Sequence, residues 1–212
     1  MIGLLGVGAS SMWGCRGYQT AKVLSPNKPD MVGSHTAGAE TYKPLVDTCV
    51  ANLLARHGAP SPDGAPAPNA KRVCFIGVEN KSIEELGDFK EQIYQTVDTQ
   101  IVRSRSFQSI DRRFVEAGLR ESRLRPDELF IPKNMRDFSQ SMEQMNQPFD
   151  YCLYATLTSG TTHKNKDYQR DYVLTLELVD VRNGQYDKES AEISKAYNVS
   201  TAAKVKNLLP FN

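Results

Sequence analysis

Three segments between Asp150 and Tyr197 constrain the fold more than any other feature of the chain. The first reads Asp150-Tyr151-Cys152-Leu153-Tyr154-Ala155-Thr156-Leu157-Thr158-Ser159-Gly160. The second reads Tyr172-Val173-Leu174-Thr175-Leu176-Glu177-Leu178-Val179-Asp180, and the third runs from Glu189 to Tyr197. β-Branched and aromatic residues fill the first two, and such residues suit a pleated, half-buried surface. Asn183-Gly184 tolerates the positive φ angles of a two-residue hairpin turn. The spacing predicts an antiparallel meander at the end of the domain. No catalytic pair or triad stands in it, so the chain reads as a binding module.

The residues before the meander alternate between helix and strand signals. Tyr42, Leu45, Val46, Cys49, Val50, Leu53 and Leu54 recur at three- and four-residue steps, and Gly58 stops that helix. Ala59–Ala70 carries four prolines and no large apolar residue, which marks a surface insertion. Lys71–Val78 is a buried strand, after which Glu79-Asn80-Lys81-Ser82 leads into a second helix lined by Leu86, Phe89, Ile93, Val97 and Ile101. Phe107–Ile110 is a short strand, and the Asp111 carboxylate can cap a third helix through Phe114, Val115 and Leu119. Arg125–Lys133 is irregular, and a fourth helix carries Met135, Phe138, Met142 and Met145. The expected architecture is an α/β (α+β) domain: a small, mostly antiparallel or mixed sheet of about four to five strands flanked by about four helices.

Composition removes several function classes. Lys and Arg number 26 against 25 Asp and Glu, which gives no general argument for nucleic acid or a strongly charged partner. No run of 18 apolar residues exists to span a membrane as a helix. The four cysteines, Cys15, Cys49, Cys74 and Cys152, form no C-x-x-C pair, so zinc and thioredoxin-type readings fail. Cys49 belongs to a helix core. Cys74 and Cys152 sit in strands of one sheet, where two buried thiols fit better than a disulfide.

The first fifteen residues join a short apolar stretch (Ile2, Leu4, Leu5, Val7) to Met12-Trp13-Gly14-Cys15. Gly14-Cys15 resembles the end of a bacterial lipoprotein signal, with Trp13 a poor fit where a small residue is usual and no basic residue before Arg16. Residues 16–41 contain few apolar residues and several Pro and Gly, too little to offset chain entropy, so a disordered tether is expected there. Stretched fully, such a tether spans at most ~85 Å. The expected organisation is a signal segment over 1–15, a tether over 16–41, a globular domain over 42–200 and a tail over 201–212, whose Leu208, Leu209 and Phe211 can dock on the domain.

In this order the pieces resemble the LpoB-type outer-membrane lipoproteins that activate penicillin-binding proteins. The likeness rests on Gly77-Val78-Glu79-Asn80-Lys81-Ser82, Phe107-Gln108-Ser109-Ile110-Asp111, Asp150-Tyr151-Cys152-Leu153-Tyr154-Ala155 and Leu174–Asp180. It covers roughly Tyr42–Tyr197, plus the anchor at Cys15. Relatives tend to open the last strand with an aromatic residue, often Trp, where Tyr186-Asp187 stand here. The resemblance implies lipid on Cys15, an outer-membrane location facing the periplasm and a bifunctional peptidoglycan synthase as partner. It implies no catalysis, cofactor, metal, nucleic acid or small-molecule substrate. The fold is shared with TolB amino-terminal and CsgG-like domains, so an envelope secretion or assembly subunit is the alternative. CsgG-type pores need long amphipathic hairpins, and none is evident.

Other site-like patterns have plainer explanations. His35, His57 and His163 lie in tail or loop positions without a second ligand at useful spacing. Ser25-Pro26-Asn27-Lys28 spells S-x-x-K but lies between prolines rather than on a helix. Gly6-Val7-Gly8 has no strand before it. Glu84-Glu85 and Asp127-Glu128 read as solvated helix starts. Seven Arg fall within Arg103–Arg125, and a solvated helix face is the simplest account of them. A docking patch for an acidic protein surface is the functional one. A cytoplasmic phosphate- or RNA-binding module built on that cluster would need Cys15 unmodified.

Overall fold

A computed structural model of the chain describes residues 37–57, 70–164 and 167–197. Four helices surround a five-stranded mixed sheet, the α+β architecture expected. The helices are α1 (Ala39–His57), α2 (Phe89–Ser104), α3 (Arg112–Ser122) and α4 (Pro132–Gln144), with a short 3-10 helix over Pro126–Phe130. The strands are β1 (Lys71–Lys81), β2 (Phe107–Ser109), β3 (Tyr151–Lys164), β4 (Asp167–Asp180) and β5 (Tyr186–Tyr197). Their order in the sheet is β2-β1-β3-β4-β5. β1 runs parallel to both β2 and β3, and β3, β4 and β5 form the antiparallel meander.

Two apolar layers hold the sheet. On one face Phe75, Leu153, Leu157, Tyr172, Leu174 and Leu176 meet α1 and α2 through Leu45, Cys49, Ile93 and Val97. On the other, Cys74, Ile76, Cys152 and Tyr154 meet α3, α4 and the 3-10 helix through Val115, Phe138, Met142 and Leu129. β1 lies under both layers, so its sequence is a continuous apolar run. β4 lies under one, so Tyr172, Leu174, Leu176 and Leu178 alternate with residues that keep partial exposure. Gly118 on α3 is buried against α4, where a Cβ would come within 2.5 Å of Met142 Sδ. Asp111 caps α3 as expected, its side chain accepting from the Arg113 N–H.

Several sequence expectations need correction. β1 continues through Glu79, Asn80 and Lys81, which pair with β3 instead of leading directly into a helix. Its register slips between Phe75 and Gly77, and Gly77 takes a φ of +151°. That bulge shifts the alternation by one, so Val78 joins Phe75 on the same face. The β4–β5 connection is longer than a two-residue turn: the Asp180 N–H donates to Gln185 O, and Gly184 alone in the connection has positive φ. The irregular stretch Arg125–Lys133 holds the 3-10 helix, and α4 starts at Pro132, a residue favoured in the first helical turn. Phe107 and Phe114 both read as core from the sequence; Phe107 is buried, but Phe114 is 41% exposed. Residues 37–41, expected to end the tether, are part of the domain: Ala37 is buried and α1 begins at Ala39. Residues 16–36 of the tether, residues 59–69 of the Pro-rich stretch, the anchor at Cys15 and residues 198–212 lie outside the described residues.

Candidate docking surface

Several of the described thiols and phenols are tuned away from nucleophilic chemistry by burial. Burial pushes the Cys49 thiol up to about 11 and the Cys74 thiol well above its usual range. The Tyr94, Tyr154 and Tyr172 hydroxyls are raised by the same desolvation. A nucleophile needs the opposite shift. Cys74 and Cys152 are register partners across β1 and β3, and both are free, as expected. Among the described residues no group of His, Cys, Asp and Glu could hold a metal.

The surface offers a groove instead. It measures about 830 Å³ and lies between α4 and the β4–β5 connection. Leu129, Met135 and Val179 form its apolar floor, and Phe130 and Tyr186 stand on its banks. Phe130 is 57% exposed, Ile131 53% and Tyr186 69%, a concentration of large exposed apolar side chains. A second cleft of about 530 Å³ opens beside β1, lined by Val78, Tyr94, Arg112 and Leu119. Phe130 and Tyr154 border both cavities, their rings stacked at 4.5 Å. The hydroxyls of Tyr154 and Ser139, both beside the larger groove, are buried without hydrogen-bond partners.

Local structure fixes these side chains. The 3-10 helix is capped by Glu128, whose carboxylate accepts from the Arg125 N–H at 2.8 Å. That presents Phe130 and Ile131 outward at the helix end, just before Pro132 restarts the chain. Asp150 secures the opposite bank. Its carboxylate accepts from the Arg72 N–H at 3.0 Å and from Arg182 at 2.7 Å, and its carbonyl accepts from the Val181 N–H. One residue therefore ties β1, β3 and the β4–β5 connection, and gives the Asp150-Tyr151 pair a structural role.

The residues singled out from sequence separate widely. His57 is not in a loop: it closes α1, with Nε2 2.7 Å from Asp187 Oδ2. His163 lies on β3 beside the Tyr168 ring. His35, Ser25, Lys28, Gly6, Gly8 and Cys15 lie outside the described residues. The arginines disperse into local contacts. Arg112 lies 4.4 Å over the Tyr94 ring and pairs with Glu91 and Glu116, Arg113 pairs with Asp111, and Arg125 with Asp127 and Glu128. Arg105 and Arg123 end α2 and α3 in left-handed conformation. This pattern is the solvated face expected.

Glu84 departs most from expectation. It is not a solvated helix start. Its carboxylate pairs with Arg170 and accepts from the Tyr172 hydroxyl and from the Ala37 N–H, each of these two at 2.7 Å. The Glu84 and Arg170 side chains are 11% and 14% exposed. Nothing in the local sequence signals this, because Arg170 lies 86 positions away.

A second ion-pair cluster joins α1 to β5. The Asp187 carboxyl is held down at about 2, chiefly by its hydrogen bonds from the Arg56 guanidinium, with His57 assisting. Because the folded value lies below the unfolded one near 4, its stabilisation is complete above that pH and is lost as pH falls towards about 2. Asp187→Asn should therefore flatten the stability curve in that acidic window, as read by urea unfolding at stepped pH. Equal curves for both proteins would refute the assignment.

An exposed groove banked by aromatic side chains is the kind of surface a protein-recognition module presents. Its sequence matches the profile of the peptidoglycan-synthase activator LpoB over residues 50–187, well over half of the 212-residue chain, and the chain belongs to the LpoB family. It is a non-enzymatic activator whose partner is a peptidoglycan synthase of the penicillin-binding type. No curated protein matches the chain. Among solved structures, the LpoB C-terminal domain from Salmonella enterica shares the fold, with 12% identity and a TM-score of 0.50 over 72% of this chain and 97% of that one. The NMR structure of E. coli LpoB aligns at 10% identity and TM-score 0.47, covering 89% of this chain and 88% of that one. Lipoprotein GNA1162 from Neisseria meningitidis aligns at 18% identity and TM-score 0.45, covering 65% and 92%.

Proposed function

We propose that the chain is moored in the outer membrane by lipid on Cys15, faces the periplasm and docks a noncatalytic domain of a bifunctional peptidoglycan synthase in the groove between Phe130 and Tyr186. The single observation that carries the docking site is this pair of exposed aromatic banks in a chain of a synthase-activator family. Aromatic side chains flanking an apolar floor are the usual anchors of a protein interface. Residues 16–36 act as the tether, and the recognition domain begins at Ala37, which is buried and bonded to Glu84. Activation follows if the domain binds one conformation of the synthase more tightly than another, because only differential affinity shifts such an equilibrium.

The anchor is tested directly. Full-length protein is purified from its native membrane and its amino terminus read by mass spectrometry. Acylated Cys15 is expected, and Cys15→Ser should move the protein from the outer-membrane fraction to the soluble one. An unprocessed terminus, or membrane association that survives Cys15→Ser, would remove the mooring from this reading. Docking is tested by the groove substitutions described in the Discussion.

A further inference from the structure

We propose that residues 206–211 of this chain lie beside β1 as a further strand, antiparallel to it, in the lane that β2 leaves empty. β2 pairs only with Lys71, Arg72 and Val73 at the start of β1. Its lane closes where the Ile110 N–H donates to the Val73 carbonyl, and the chain then leaves as α3. β1 runs on to Lys81, paired with β3 alone. The next outward carbonyl, that of Phe75, is taken by the Tyr94 hydroxyl at 3.0 Å.

Beyond that point the edge is open. Val78 returns to the Phe75 face after the bulge. Faces and edges alternate together along a strand, so Val78 and Asn80 turn their N–H and C=O into the lane. Among the described residues none bonds to them there. Val78 is only 5% exposed, and a buried amide calls for a partner. The cleft of about 530 Å³ occupies this lane, with Ile76–Asn80 as its inner wall. Tyr94 of α2 closes one face, and Val115 and Leu119 of α3 close the other. A strand seated between two such walls is an unbroken apolar run, as β1 itself is.

The chain after β5 holds such a run, Leu208-Leu209-Pro210-Phe211, and neither residues 16–36 nor 58–69 hold one. It also starts from the right end of the sheet. Tyr197 pairs with Tyr168, Tyr168 with His163, and Thr158 of the same strand with Lys81, so β5 and β1 finish on one side. Strand spacing and rise put the mouth of the lane, beside Asn80, about 28 Å from Tyr197. The steps from Tyr197 to Lys206 span up to about 30 Å. Pro210 has no N–H and must turn outward in an edge strand. Leu209 then faces β1, and setting it opposite Val78 sets Asn207 opposite Asn80. In that register Leu209 falls on the α2 face and Leu208 on the α3 face. Phe211 arrives at Gly77, where nothing lies within 4 Å of the Cβ position.

Backbone hydrogen exchange, followed by NMR on the full chain carrying Cys15→Ser, tests the strand. No synthase is present, so the outcome is separate from the docking proposed above. The Val78 and Asn80 amides should be protected at every protein concentration. Leu209→Pro removes a donor aimed at β1, and Leu208→Asp sets a charge against Leu119. Each should speed exchange at both amides about tenfold or more. Both substitutions lie outside the described domain, so its circular dichroism should stay the same. Fast exchange of both amides in the parent overturns the proposal. Protection that survives Leu209→Pro and Leu208→Asp overturns it too, because the lane is then closed by its own walls. Protection that vanishes on dilution assigns the strand to another molecule and overturns it equally.

Discussion

Glu84→Leu should destabilise the domain by roughly 3 kcal/mol, because breaking a buried ion pair strands its partner. Arg170 would then lie under the Tyr168 and Tyr197 rings with its main counter-charge gone. The Tyr172 hydroxyl would keep the Tyr197 hydroxyl, 2.9 Å away, and the Ala37 N–H would lose its acceptor. The conservative Glu84→Gln keeps an acceptor oxygen and should cost distinctly less. Replacing both members, Glu84→Leu with Arg170→Met, should recover most of the loss, since two well-packed apolar side chains can match a buried pair. Urea unfolding monitored by circular dichroism reads all three. Equal, small losses for the two Glu84 variants would show that the pair is solvated and unimportant.

Phe130→Ala combined with Tyr186→Ala should weaken binding to the peptidoglycan synthase about 100-fold, or about 2.7 kcal/mol. Interface aromatics of this kind commonly cost 2 kcal/mol or more apiece on truncation, and their effects are not additive. Both side chains are more than half exposed, so the fold should tolerate their loss. Unchanged circular dichroism with weakened binding is the expected result in calorimetry against the purified synthase. A double variant that binds like the parent would move the docking surface elsewhere, while leaving family membership untouched. Arg113→Ala, whose partner is its neighbour Asp111, serves as a control expected to bind normally.

How much of this was legible beforehand depended on distance along the chain. The meander was readable because β4 alternates Tyr172, Leu174, Leu176 and Leu178 against more polar neighbours, a local signal. α1 was readable for the same reason at the helical period. The β4–β5 connection was misjudged because Asn183-Gly184 satisfies a two-residue turn on sequence alone, while the observed connection depends on Asp180 meeting Gln185. The groove was invisible because its banks come from the 3-10 helix and from β5, more than fifty positions apart. Leu129-Phe130-Ile131 did leave a trace, three large apolar residues in a row in an otherwise polar stretch, but without a period to interpret them. The Glu84 pair left none: two adjacent acids look alike, and only the folded chain decides which one meets Arg170.

The position of Glu84 also bears on mechanics. A domain moored through residues that precede Ala37 feels any pull on its leash first at the start of α1. The Ala37 amide is fastened there to Glu84, and through Glu84 to Arg170 and Tyr172 in the middle of the meander. Tension is thereby spread over several strands at once instead of peeling a single helix away. Under the mooring proposed at Cys15, that arrangement would work as a strain relief at the point where the cable enters the plug.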